Sequence, residues 1–177
     1  MHNAARVAAV CLLAASALAG CASSGDGTLG VHVTDAPGAI GDFSSLTVTV
    51  SSIDLQDKDN GGTKSFTPAS STFDLVKLTS GNLTTLFRDT VPAGNYSKLE
   101  LVISSASGTL KAGGSVSVDA PKGSIFVPTQ FQVKAGSSVD FLIDIHVVAK
   151  GNGGYSLQPN AGGSKEISKP SGEKVPG

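Results

Sequence analysis

Apolar and polar residues alternate with period two along most of this chain. Leu29, Val31 and Val33 alternate with Gly30, His32 and Thr34, the pattern of a half-buried strand, which ends at the turn Thr34-Asp35-Ala36-Pro37-Gly38. Leu46, Val48 and Val50 alternate with Thr47 and Thr49, but the next apolar residues are Ile53 and Leu55. Parity therefore changes across Ser51-Ser52, which predicts a bulge. Phe73–Leu78 and Leu83–Phe87 read as two short extended segments about the turn Ser80-Gly81-Asn82, with a helix as the alternative for so short a run. The turn Pro92-Ala-Gly-Asn95 launches a strand from Tyr96 to Ser105. Val116 and Val118, Ile125–Val127, and Phe131 with Val133 are shorter candidates punctuated by glycine and proline. Val139, Phe141, Ile143, Ile145 and Val147 form the longest alternating run, expected to be a central strand, and Gly151–Gly154 turns the chain into Tyr155–Gln158.

After the N-terminal segment no uninterrupted helical pattern of ten residues occurs, and strands recur at sandwich-like intervals. The expected fold is all-β, a two-layer, mainly antiparallel β-sandwich over residues 28–159. Residues 160–177 are rich in Gly, Ser, Lys, Glu and Pro, a composition that predicts a disordered tail.

The N-terminus follows another rule. Arg6 precedes an apolar run from Val7 to Leu18, roughly a dozen residues, the length of a signal-peptide core and short of the ~20 that span a bilayer. It ends in Leu18-Ala19-Gly20-Cys21, which resembles a bacterial lipobox, in which peptidase cuts before a cysteine whose sulfur has been acylated. The expectation is a signal peptide over residues 1–20, palmitate-type acylation at Cys21, and a flexible tether over 21–27. A conventional cleavage after Ala17-Leu18-Ala19 is the competing reading. Ala22, rather than an aspartate, follows the cysteine, which favours the outer membrane if the source has two.

Removal of twenty residues from 177 leaves 157, one domain by length. Of the two cysteines, Cys11 leaves with the signal and Cys21 carries lipid, so no internal disulfide remains to staple the fold. The net charge of -1 becomes -2 without Arg6, and scattered lysines form no basic stripe; nucleic acid is not an expected partner. With no tryptophan and only two tyrosines, flat aromatic platforms for sugar rings are scarce. The phenylalanines sit mostly at inward strand positions, where they read as core.

Candidate chemistry is sparse. Gly25, Gly27 and Gly30 fit G-x-G-x-x-G but precede a strand, where the motif has no meaning. Asp57-Lys-Asp-Asn-Gly-Gly62 resembles the start of a calcium loop, yet its twelfth position is Pro68 rather than Glu, so it reads as a turn. Asp35 is read as accepting hydrogen bonds from its own turn. Parity places Asp140, Asp144 and His146 on the face opposite Val139, Phe141, Ile143 and Ile145. Asp144 and His146, about 6.6 Å apart along the strand, could share a metal with His32, although a solvated polar face is the simpler reading. No G-x-S-x-G or H-E-x-x-H occurs. The expectation is therefore no cofactor and no catalysis: a binding or structural module whose partners are the membrane, through its anchor, and an envelope protein or polymer. A metal-dependent binding protein and an extracytoplasmic hydrolase are the rivals.

Four stretches together resemble a bacterial and archaeal group, the domain-of-unknown-function family 4382, found in predicted lipoproteins. They are Gly27-Thr-Leu-Gly-Val-His-Val-Thr-Asp-Ala-Pro37, Phe73-Asp-Leu-Val-Lys-Leu78, Pro92-Ala-Gly-Asn-Tyr96 and Gly151-Asn-Gly-Gly-Tyr-Ser-Leu-Gln-Pro159. The resemblance implies an extracytoplasmic β-sandwich and names no chemistry. The segment from Ala120 to Phe131 departs from it in being shorter and more proline-punctuated.

Overall fold

The computed structural model describes residues 25–167. The lipobox-like Leu18, Ala19, Gly20 and Cys21, the rest of the signal segment, and residues 168–177 lie outside that range. Eleven strands follow in chain order: β1 (Asp26–Ala36), β2 (Phe43–Asp57), β3 (Thr63–Phe66), β4 (Thr72–Asp74), β5 (Thr84–Pro92), β6 (Gly94–Leu110), β7 (Ser115–Asp119), β8 (Ser124–Val133), β9 (Ser138–Ala149), β10 (Tyr155–Pro159) and β11 (Lys165–Ile167). Three short 3-10 turns complete the described residues, which contain no α-helix.

The strands form one curled sheet in the order β3-β2-β6-β7-β10-β9-β1-β5. β2 and β6 make the longest antiparallel pair, from Phe43 opposite Leu110 to Asp57 opposite Tyr96. β3 and β4 share the outer edge of β2, while β7 and β8 pair with β6. β9 is central, as its alternation predicts: it runs parallel to β1 on one side and pairs antiparallel with β10 and β11 on the other. The short parallel pairing of β7 with β10 joins the two groups. The sheet curls far enough for its ends to touch, with Phe66 of β3 tilted against Phe87 of β5 at 5.5 Å and the Ala69 amide donating to the Leu86 carbonyl at 2.8 Å.

Inside the curl lie Leu29, Val31 and Val33 of β1, Leu46, Val48, Val50, Ile53 and Leu55 of β2, and Phe141, Ile143, Ile145 and Val147 of β9, all buried. The register of β2 against β6 shifts on both sides of Val50, where the parity change at Ser51-Ser52 places a bulge. Tyr96, Phe131 and Phe141 form a ring stack with centroids 5.4 and 5.7 Å apart, and the Tyr96 hydroxyl donates to the Pro92 carbonyl at 2.6 Å, so the buried phenol is satisfied. Phe126, 44% exposed, is the exception to the core reading of the phenylalanines and lies beneath the Lys98 ammonium.

Three sequence expectations need correction. Phe73–Leu78 is only half extended: Leu75–Leu78 is a 3-10 turn, because the Asp74 carboxylate accepts from Val76 N at 3.2 Å and Leu46 N at 3.0 Å. The side chain thereby caps the turn and ties it to β2. The expected tether gives way to β1 at Asp26. The expected disordered tail contains β11, since the lower half of β9 is left unpaired by β10 and Lys165–Ile167 fills it opposite Leu142–Asp140.

The curl has two ends. At the one where β1 begins, Gly136 N donates to Asp26 O, Thr28 N to Ser137 O, Ala93 N to Gly25 O and Lys58 N to Asn95 O, which gathers the β2–β3, β5–β6 and β8–β9 connections there. At the other end lie the segment after Ala36, the turn around Gly81, and the glycine-rich connections 111–114 and 150–154. Lys111 N donates to Asp42 O, and Thr34 Oγ1 to Asn82 O.

Candidate functional site

The polar chemistry of this fold is concentrated on the face of β1 and β9 that points away from the core. Register pairs Gly30 with Asp140, His32 with Leu142, Thr34 with Asp144 and Ala36 with His146, while Gly30 also pairs with Arg88 across β5. Period-two geometry puts these residues on one face. The expected parity of β9 holds, since Val139, Phe141, Ile143 and Ile145 are buried on the opposite face.

Expected to be solvated, the lower part of this face is instead sealed. His32 is fully buried and Asp140 is 3% exposed. His32 Nε2 lies 2.8 Å from Asp140 Oδ1 and its Nδ1 2.8 Å from Thr85 Oγ1, while Arg88 donates to the same Asp140 oxygen. A carboxylate at Asp140 can only accept, so Nε2 carries a proton, and Nδ1 pairs with the Thr85 hydroxyl. Both ring nitrogens are satisfied, which is how a buried imidazole is tolerated. Gly30 is the sequence signal for this cluster: a Cβ there would collide with Asp140 Oδ1 and crowd Arg88 and His32. A glycine inside an otherwise alternating strand marks such a close approach. Sequence reasoning missed Thr85 and Arg88, because partnership across β5 depends on register that local pattern does not encode.

A second cluster lies further along. Asp144 Oδ2 accepts from Asn160 Nδ2 at 2.8 Å, its main-chain amide donates to Ser164 Oγ at 3.0 Å, and its carbonyl accepts from Asn160 N at 2.8 Å. Gly163 presses on this carboxylate and Gly38 on the His146 ring, leaving no room for a Cβ at either glycine. Asp144 Oδ1 and Asp35 Oδ1 are buried without a hydrogen-bond partner among the described residues. Asp35 is 7% exposed and sits within β1, so the expected self-capping of its turn is replaced by burial. Burial first, and then the negative charge of Asp144, push its carboxyl up to about 7. Burial also raises Asp144, against the lowering effects of the Asn160 hydrogen bond and His146.

His32, Asp144 and His146 share the face but are not brought together as ligands, because both nitrogens of His32 are engaged by Asp140 and Thr85. Among the described residues no three His, Cys, Asp or Glu side chains are grouped to hold a metal ion. The Asp57 loop behaves as the turn it was read to be. Its carboxylate accepts from Asp59 N, Asn60 N, Asn60 Nδ2 and Lys64 Nζ, and these bonds, led by Asn60, hold it well below the usual carboxylate range.

Concave surface lies elsewhere, at the end where β1 begins. A depression of about 190 Å³ is lined by Lys58, Asn95, Tyr96, Gln130, Phe131 and Gln132. A neighbouring one of about 480 Å³ is lined by Ala93, Gly94, Val133, Lys134 and Ala135 together with Gln132. None of the residues of the two polar clusters lines either depression.

An all-β curled sheet with ordered polar clusters on its β1–β9 face defines the structural class. Within that class the chain is assigned by sequence: residues 26–159 match the family described as Domain of unknown function (DUF4382), and the protein belongs to it. No curated protein matches the chain. Among solved structures, a leucine-rich repeat protein from Bacteroides thetaiotaomicron VPI-5482 aligns at 11% identity with a TM-score of 0.31, over 67% of this chain and 13% of that one. A protein from Eubacterium rectale aligns at 14% identity with a TM-score of 0.25, over 78% and 91%. Similarities of this size carry no argument about fold or function.

Proposed function

We propose that the protein is a lipid-anchored, non-catalytic binding or structural module of the cell envelope, in which a two-layer β-sandwich presents its loops or a strand face to an envelope protein or polymer. The observation that carries the reading is Leu18-Ala19-Gly20-Cys21 closing an apolar run, with β1 beginning five residues later at Asp26. A cysteine so placed would receive acyl chains, and firm attachment takes more than one. Mass spectrometry of the mature N-terminus tests this: an acylated Cys21 as residue one is expected, and an unmodified Cys21 or a chain starting at Gly20 overturns it.

One observation favours a hydrolase. Thr85, His32 and Asp140 stand in the order hydroxyl, imidazole, carboxylate that acyl transfer uses. Two features oppose it. The His32 ring is fully enclosed and could not hand a proton to a leaving group, and the Asp140 oxygen that would orient it is shared with Arg88. The arrangement is better suited to clamping β1, β9 and β5 together.

A further inference from the structure

We propose that the end of the domain where β1 begins is seated on the lipid surface, with the glycine-rich connections at the opposite end held away from it. The proposal rests on the anchor reading above and turns on two lengths. From Cys21 to Asp26 the chain takes five residue steps, which even fully extended reach about 18 Å. β1 itself has eleven residues, and ten steps of ~3.3 Å carry it about 33 Å from that point to its far end at Ala36. A lipid on Cys21 therefore holds Asp26 closer to the headgroups than the length of the strand. The domain cannot turn over to rest on its other end.

The surface so presented is continuous. Gly25 is bonded to Ala93, Asp26 to Gly136, and Lys58 to Asn95, so three connections meet around the point where the tether enters. It is concave, with the two depressions side by side and sharing Gln132. Its charges are mixed, with Asp26 and Asp59 exposed beside two lysines. Lys58 and Lys134 are exposed, the Asp57 carboxylate is turned inward onto Lys64, and Asp59 is engaged by Asn95 Nδ2 at 2.9 Å. Lys58 Nζ also donates to Gln130 Oε1 at 2.8 Å, so the seat carries no net positive charge and the length of the tether sets its place.

The test uses the full-length acylated protein in vesicles of phosphatidylethanolamine and phosphatidylglycerol that contain a fluorescence-quenching lipid. Single cysteines are introduced as Gln132→Cys at the proposed seat and Ala112→Cys at the far end, both exposed positions, and labelled with a thiol-reactive dye that the acylated Cys21 cannot take. The dye on Gln132→Cys should be quenched several-fold more than that on Ala112→Cys. Equal quenching, or the reverse order, in protein that floats with the vesicles overturns the seat while leaving the anchor standing. Protein that fails to float overturns the anchor, and the seat falls with it.

Discussion

Substituting Asp35 by asparagine should flatten the pH dependence of stability between about pH 4 and pH 7. Asp35 is 7% exposed, its Oδ1 has no hydrogen-bond partner among the described residues, and its carboxyl is raised from 3.8 to about 7, through burial first and the charge of Asp144 second. Below pH 4 both folded and unfolded chains carry the proton, and the residue contributes no pH dependence. Between the two values the folded chain keeps a proton that the unfolded chain has released, so stability falls as pH rises through that window, and above pH 7 the loss is complete. The interval corresponds to at most about 4 kcal/mol. Asp144, raised in the same direction, adds a slope of the same sign that Asp35→Asn leaves in place in part. Asparagine is neutral at every pH but brings an amide whose donors need partners, at a cost of about 1–3 kcal/mol that does not vary with pH. The diagnostic is therefore the slope and not the offset. Urea unfolding at pH 4.5 and pH 8, followed by far-UV dichroism because the chain has no tryptophan, should show the native protein more stable at the lower pH and the variant with a clearly smaller difference, the part that Asp144 supplies. A native protein equally stable at both values, or a slope that survives unchanged in Asp35→Asn, would refute the reasoning.

Asp140→Ala should cost about 3–5 kcal/mol, because it leaves the Arg88 charge and the buried His32 Nε2–H without their acceptor; urea unfolding reads this, and a loss under about 1 kcal/mol would show that the cluster clamps nothing. Phe141→Ala or Ile143→Ala should cost roughly 2–5 kcal/mol as core truncations, with Asp144→Ala, on the opposite face, costing far less; equal small losses at all three positions would contradict the observed parity of β9.

The parts of the fold legible in the sequence are those with a local cause. Alternation reports which residues of one strand face inward, so the core of β1, β2 and β9, the central place of β9 and the bulge after Val50 could all be read directly. Partnership across strands has no such local mark. Arg88 and Thr85 lie on β5 far from His32 in sequence, and only the pairing of β5 with β1 brings them to the ring. The hidden part of the tail has the same origin: Lys165–Ile167 is polar and unremarkable alone, and becomes a strand because β9 has an unpaired edge beside it.

Burial is the other quantity that alternation misreports. Period two says which face a side chain occupies and nothing of whether that face is covered, which is why His32, Asp35 and Asp140 read as solvated or turn residues and are enclosed instead. Gly30, Gly38 and Gly163 are the one trace of this in the sequence. Each lies against a polar side chain on the β1–β9 face, and each would collide with it if it carried a Cβ. Three close approaches to three separate polar groups fix Asp140, Asp144 and His146 in place more firmly than a solvated strand face requires. The close approaches of glycine to polar side chains are thus gathered on the β1–β9 face, whereas Gly108 of β6 makes its own against Phe43 and the Ser45 carbonyl.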